Sequence, residues 1–520
     1  MHMSKVYRLK KTGVTFTCGE AWIQRLYDRA QESCRCNRAV LDGLSVMIEG
    51  SIYRNVWLET QPMAGEMYAR RDAEIGLNNQ RIFLRHQAEN GRLPGMISQA
   101  DGQVKVDYGW LQGCFFPLPA YRMHMYLEDD RAYLEELYRA LERFDAYLWR
   151  YRDSDGDGCL ETWCVWDTGE DNCSRFFPDS PDSWPGETPP SGSGRLPYAS
   201  MDFMGYSCQC RSVLAAIACR LENGMEGYWT KAAQAIRDKI REYLWQPEKE
   251  ACYDRDCDHA VLDILTHNNL RVLYFGGMDP DMADAFIRRH LLNPAEFWTP
   301  VPLPSIAHND PFYRNDTHNN WSGQPQGLTY QRAVDALLQY HHHAEITLLG
   351  KRWLRVCAQA DTFAQQYDPL TGVPGTPADN YGPSALAALE YISYLYGIDI
   401  IDKRIIWSGT DDSVQCVTEQ TFGDLRYRLV LKGEHMEAFI NDRSCFSCSC
   451  GVRVLTGFQG EAPVFIGMEE RPVTLQVQWN GCFGSTVIRP NEQMVFREER
   501  LITLDRYPFD YRENTAGIAN

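Results

Sequence analysis

The chain has 520 residues, 44% of them hydrophobic and 23% charged, the balance of an ordinary globular protein long enough for two domains. Its formal net charge of −18 is spread along the whole chain, which argues against nucleic acid and anionic membranes as partners, because both select a concentrated Lys/Arg face. No run of ~18 apolar residues could span a bilayer and the first twenty residues lack a signal-peptide pattern, so a soluble, cytoplasmic protein with eighteen reduced cysteines is expected.

In chain order, Asp72 reads as the cap of a helix through Ile75, Asn79 and Phe83. A second helix starts at Asp130 and carries Tyr133, Leu134, Leu137, Tyr138, Leu141, Phe144 and Leu148 at three- and four-residue spacing. The segment Asp153-Ser154-Asp155-Gly156-Asp157-Gly158 begins like a calcium loop, but its twelfth position is Cys164 rather than a bidentate Glu. A tight Asp-Gly turn is the preferred reading, with calcium held by Asp153, Asp155 and Asp157 as the alternative. No cofactor is required. Further helical periodicity runs from Thr230 to Leu244, from Ala333 to Leu338, from Ile346 to Cys357 and from Leu386 to Leu395. His341-His342-His343 falls on this helical stretch and is expected at a solvated surface.

After about Asp402 the period changes. Tyr427, Leu429 and Leu431 alternate with polar residues, Lys432-Gly433 reads as a turn, and Val473, Leu475, Val477 and Trp479 end at Asn480-Gly481, a two-residue hairpin signal. Residues 403–520 therefore read as a small all-β domain. Cys445, Cys448 and Cys450 lie in it without a second half for a zinc site and are expected to pack in its core.

The chemistry concentrates in Trp163–Phe176, where three carboxylates, an arginine and two tryptophans surround Gly169. Indole faces stack on sugar rings, and carboxylates bind hydroxyls or supply protons. A nearby arginine can keep one carboxylate ionised while another, desolvated, holds a proton. A salt-bridged connection between helices would have the same composition. There is no Gly-rich phosphate loop and no Gly-x-Ser-x-Gly elbow, so nucleotide chemistry and serine hydrolysis are unsupported.

The run Trp166-Asp167-Thr168-Gly169-Glu170-Asp171-Asn172-Cys173-Ser174-Arg175-Phe176 resembles the signature of the trehalase-like clan of inverting glycoside hydrolases, families 37 and 63. Gln87–Gly95, Tyr243-Leu244-Trp245 with Cys252-Tyr253-Asp254, Asn320–Pro325 and Tyr367–Gly372 resemble other segments of that clan in the same order, so the likeness covers roughly residues 55–400. It implies a mainly α fold, with residues 1–402 as a lead-in and an (α/α)6 six-hairpin barrel and residues 403–520 as a β-sandwich. It also implies Asp171 as the general acid, a small or oligosaccharide substrate of α-gluco type, and a sugar site shaped by Trp166, Asp167, Arg175, Trp321 and Gln324. Trp57, Glu59, Glu66 and Arg71 lie where the clan carries sugar-binding residues on its first loop.

One position departs from the pattern. Where the clan has the glutamate that activates water, this chain has Gln365, and an amide cannot take a proton from water at neutral pH. Four readings stay open: an engineered Glu→Gln trap, a relocated base among Glu59, Glu66, Asp310, Asp316 and Asp379, a phosphorylase in which phosphate attacks unaided, or a protein that binds glycans without cleaving them.

Overall fold

The computed structural model describes residues 7–458, 461–497 and 500–511. Among these, twelve α-helices precede residue 400: α1 (Ala21–Cys36), α2 (Gln61–Ala69), α3 (Ala73–Arg85), α4 (Pro117–Arg122), α5 (Arg131–Tyr151), α6 (Met201–Leu221), α7 (Glu226–Lys239), α8 (Asn268–Tyr274), α9 (Pro280–Phe286), α10 (Gly327–Leu338), α11 (His343–Gln359) and α12 (Gly382–Tyr396). Asp72 caps α3 as its position predicts, its carboxylate accepting Ile75 N–H at 3.2 Å.

The even-numbered helices touch one another in a cycle, α2 to α4, α6, α8, α10, α12 and back to α2. Both α12 and α10 are enclosed: thirteen of the fifteen residues of α12 and eleven of the twelve of α10 are buried, so neither turns a face to solvent. The helix α5, by contrast, buries the stripe predicted from its spacing and turns its other face to solvent. At one crossing, backbones come into contact. A Cβ at Gly65 of α2 would stand 2.5 Å from Asn79 Cβ of α3, and one at Gly76 would stand 2.8 Å from Gly65 O. Asn79 uses this closeness to bond Met47 N, Met47 O and Gln61 O, fastening the hairpin Arg38–Met47 to both helices.

Two antiparallel sheets follow. One has seven strands: Thr12–Cys18, Cys416–Phe422, Leu425–Lys432, His435–Ile440, Arg443–Ser449, Val473–Trp479 and Cys482–Ile488, in that order. The other has six: Ile398–Ile401, Arg404–Gly409, Val452–Gly457, Val464–Gly467, Glu492–Arg497 and Arg500–Arg506. Rings from the two sheets meet, with Trp407 6.1 Å from Tyr427 and 6.0 Å from Phe446. Asn480 and Gly481, both at positive φ, make the expected two-residue turn. The sheets draw on more chain than residues 403–520: Thr12–Cys18 pairs along its length with Cys416–Phe422, and Ile398–Ile401 pairs with Arg404–Trp407.

The sheets dock on α11 and α12. Asn491 accepts Ala344 N–H and donates to Glu345, while Lys351 bonds Glu469 at 3.0 Å. The histidine triplet belongs to this junction rather than to a solvated surface. His342 lies buried between Asp284 and Glu345, which together outweigh its burial and push it up to about 9, and His343 is buried against Tyr394. The periodicity missed this because residues 341 and 342 are the turn into α11 and His343 is its first, buried residue.

Replacing Gly65 by alanine should overpack the α2–α3 crossing and destabilise the protein by about 1–3 kcal/mol, read as a lower urea midpoint at unchanged slope.

Candidate active site

The loop Val165–Phe176 is set by two left-handed residues, Gly169 at φ 72° and Asn172 at φ 56°, on either side of Glu170 and Asp171. Only glycine fits the first position. A Cβ there would lie 2.0 Å from the Glu59 carboxylate. The loop is zipped to Asn319–Ser322: Trp321 N–H donates to Asp171 O at 3.1 Å, Asn172 Nδ2 to Asn319 O at 2.9 Å, and Ser322 Oγ to Asn172 O at 3.1 Å.

Behind the loop lies a buried ionic cluster. Arg175 reaches Glu170 at 2.6 Å, Asp202 at 3.0 Å and Asp254 at 2.9 Å. Burial would raise Glu170, but Arg175 and Arg271 outweigh it and hold this carboxyl well below its usual range. His267, 3.0 Å from Glu170, is desolvated down to about 4 and is therefore neutral. Asp167 is fully buried on Arg152 at 2.5 Å and accepts N–H from Leu111 and Trp163.

In front of the loop opens a cavity of about 450 Å³, the size of a small-ligand site. Trp57, Trp110, Trp166 and Trp321 line it, together with Glu49, Glu59, Asp107, Asp171, Gln365, Tyr53 and Tyr381. A larger hollow of about 1200 Å³, where the end of α4 meets the sheets, has no tryptophan in its wall. Asp171 is pushed up to about 6, first by burial and then by the negative charges of Glu59 and Asp182; a hydrogen bond from Asn319 Nδ2 to its Oδ2, at 2.8 Å, only partly offsets this. Asn319 also accepts from Gln365 Nε2 at 2.8 Å, so one side-chain amide bridges Asp171 and Gln365. The indole N–H groups of Trp57 and Trp321 and the Gln365 amide oxygen are buried without a hydrogen-bond partner among the described residues.

The sequence-predicted residues divide between wall and scaffold. Asp171, Gln365, Trp57, Glu59, Trp166 and Trp321 line the cavity. Asp167 and Arg175 stand behind it in the ion pairs above. Glu66 lies half-buried elsewhere, 3.7 Å from Arg122 beside Asp335 and Glu390. Arg71 donates to Gln31, and Gln324 bonds Asn315 and Gln366 in the packing of its own loop. Of the five candidates for a relocated base, only Glu59 reaches the cavity. Asp316 and Asp379 are exposed, and Asp310 accepts N–H from Leu265 and Phe312. Sequence reasoning missed Glu49, Tyr53, Trp110 and Tyr381. Glu49 sits in no motif, and only its place beside Tyr381 marks it, with the phenol donating to its carboxylate at 2.9 Å.

In the Asp153–Gly158 loop, each acidic side chain accepts a backbone N–H of the turn: Asp153 from Gly158, Asp155 from Asp157, and Asp157 from Cys159. Lys239 donates to the Asp157 carbonyl at 2.7 Å. Asp155, Asp157 and His259 hold candidate ligand atoms within 4.8 Å of one another at the loop's outer side.

A cavity walled by indoles and buried carboxylates, on a scaffold of paired helices followed by antiparallel sheets, is that of a glycoside hydrolase. The family model of the mannosylglycerate hydrolase MGH1-like glycoside hydrolase domain matches residues 66–384, well over half of the chain, and the chain belongs to this family. The mannosylglycerate hydrolase of Thermus thermophilus, solved with glucose, superposes with a TM-score of 0.58 at 16% identity over 70% of this chain and 99% of that one. Neutral trehalase from Saccharomyces cerevisiae gives 0.54 at 11% identity over 70% and 79%. A rhamnosidase of Bacillus sp. GL1 gives 0.53 at 15% identity over 85% of this chain and 40% of that one. At these identities the likeness is one of fold. A comparison with curated proteins yields no match.

Gly169→Ala should cost about 1–3 kcal/mol through its positive φ and its clash with Glu59, measurable as a lower unfolding midpoint. The same change at Gly156, which also has positive φ but nothing within 4 Å of its Cβ, should cost less.

Proposed function

We propose that this protein is an inverting hydrolase of small α-gluco glycosides, with Asp171 as general acid and a six-hairpin (α/α)6 barrel carrying a β-sandwich. The cyclic contact of α2, α4, α6, α8, α10 and α12 supports the barrel, and the facing aromatic rings of the two sheets support the sandwich. Eighteen unbridged cysteines suit work in a reducing cytoplasm.

The observation that carries the reaction is the state of Asp171. It stands at the cavity wall and is raised to about 6, so it can hold a proton near neutrality, while its chain neighbour Glu170 is kept ionised by arginines. Asn319 occupies Oδ2, and Oδ1 is the oxygen that donates. As the bond from the anomeric carbon to the leaving oxygen breaks, its electron pair passes to that oxygen, which takes the Asp171 proton. Water adds to the anomeric carbon from the opposite face. The single amide spacing Asp171 from Gln365 is compatible with the ~6.5–9.5 Å that inverting enzymes leave between their two groups. The indole N–H of Trp57 and of Trp321 and the Gln365 carbonyl are partners of the kind sugar hydroxyls satisfy. The α-gluco preference rests on the likeness of the loop segments to the trehalase-like clan and on a structural neighbour solved with glucose.

The test follows the released anomer by proton NMR with trehalose, other gluco-disaccharides and glucosyl-polyols, each with and without phosphate. Release of the inverted anomer without phosphate is expected. Asp171→Asn should lower kcat/KM by about 10²–10⁴-fold on these substrates and spare α-glucosyl fluoride, whose leaving group needs no proton. A retained anomer rejects the reading, and a rate that depends on phosphate makes the protein a phosphorylase.

A further inference from the structure

Gln365 leaves the proposed hydrolase without its water-activating group at the usual position, and the cavity is lined by four carboxylates: Glu49, Glu59, Asp107 and Asp171. Three are committed. Asp171 is the acid. Glu59 is clamped, with one oxygen 2.5 Å from Arg332 and the other accepting from Gln112 at 3.1 Å, and Arg271 3.8 Å away. Asp107 pairs with Lys105 at the mouth and accepts Gly109 N–H. Glu49 has no guanidinium or ammonium partner among the described residues; the Tyr381 hydroxyl donates to its carboxylate instead.

Glu49 also stands on the wall that carries Gln365. Gly382 N–H donates to Glu49 O at 2.7 Å, Tyr381 N–H to Phe363 O at 2.9 Å, and Ser384 Oγ to Ala364 O at 2.6 Å. The segment bearing Glu49 is thus laid against the start of α12, and that in turn against Phe363–Gln365. A carboxylate from the N-terminal part of the chain is delivered beside the amide that replaces the missing base.

We propose, on the hydrolase reading above, that Glu49 is the general base, with Gln365 retained beside it to orient the water. The water oxygen forms the new bond to the anomeric carbon, its proton passes to the Glu49 carboxylate, and the leaving oxygen departs with its electron pair and the Asp171 proton. Exchange with solvent then returns the proton from Glu49 to Asp171. The Gln365 carbonyl, buried and without a partner among the described residues, can accept the water's second hydrogen.

The groups facing Glu49 set its pH behaviour. Burial, with the charges of Glu59 and Asp171, raises it to about 8, against hydrogen bonds from Tyr381 and Thr60; Tyr53 lies beside it and is itself raised by burial and by the charge of Glu49. The pair of carboxyls therefore holds one proton between about pH 6 and about pH 8; it rests mainly on Glu49, and the productive arrangement is the minor form in which that proton has moved to Asp171 and Glu49 is ionised. Below about 6 both are protonated and the base is lost. Above about 8 neither is, and the acid is lost. A bell with these limbs is expected for kcat/KM.

The experiment uses the full chain with trehalose and α-glucosyl fluoride. Glu49→Gln, isosteric and able to keep a bond to Tyr381, should lose about 10²–10⁴-fold on both substrates at an unchanged urea midpoint, and its residual activity should lack the two-limbed profile. Glu49→Ala should lose as much, and sodium azide should restore cleavage of the fluoride with release of β-glucosyl azide, since azide attacks without giving up a proton. Asp171→Asn should spare the fluoride, which separates the acid from the base. A Glu49→Gln variant that cleaves the fluoride within about threefold of the parent overturns the assignment, as does a failure of azide to rescue Glu49→Ala. If Asp171→Asn leaves trehalose cleavage intact while Glu49→Gln abolishes it, the acid reading fails and the base stands. A parent inert on every glycoside removes the hydrolase reading and this assignment with it.

Discussion

The arrangement of this site depends on Arg175. Its guanidinium joins the acid loop through Glu170, the first turn of α6 through Asp202 and the segment after Ala251–Cys252 through Asp254, all out of contact with water. Three carboxylates converging on one buried cation would repel one another without it, and removing one partner of such a cluster costs far more than the cluster contributes. Asn268 and Arg271 of α8 extend the network to a fourth element. The outcome is two adjacent residues with opposite protonation tendencies: Glu170 sits on the arginine and stays ionised, while Asp171 faces a desolvated cavity with an amide as its side-chain hydrogen-bond partner and other carboxylates nearby.

Amides shape the opposite wall in the same way. Gln365 donates to Asn319, and a separate line of amides runs from Gln326 to Gln366 to Gln324, all without net charge. Because Gln365 donates to Asn319 Oδ1, Asn319 must present its Nδ2 to Asp171. A carboxylate at 365 would accept instead and turn the Asn319 amide around, placing a carbonyl against Asp171. The residue at 365 therefore influences the acid even though it is not itself titratable.

Much of the helical scaffold was legible in the sequence, since amphipathic periodicity and the Asp72 cap are local signals. So was the acid loop, because a positive-φ glycine between paired carboxylates has few uses. The division of labour within it was not legible. Asp167 and Arg175 have the composition of sugar ligands but face backward, and nothing in a run of residues reports which side is the cavity. Glu49 could not be found at all, because its role depends on contact with Tyr381 and Gly382, over 300 residues away. Long-range pairing likewise hid the strand Thr12–Cys18, which has no partner near it in sequence.

That strand has a consequence for how the chain is made. Cys18 and its cross-strand neighbour Cys416 are 398 positions apart. At ~5–20 residues per second, Thr12–Cys18 leaves the ribosome roughly 20–80 s before the strand it must pair with exists. Through that interval its edge is open to any other extended segment, including the same strand on a neighbouring nascent chain. The alternation of Gly13, Thr15 and Thr17 with Val14, Phe16 and Cys18 keeps only a narrow apolar face on this waiting strand, which limits what it can recruit before its partner arrives.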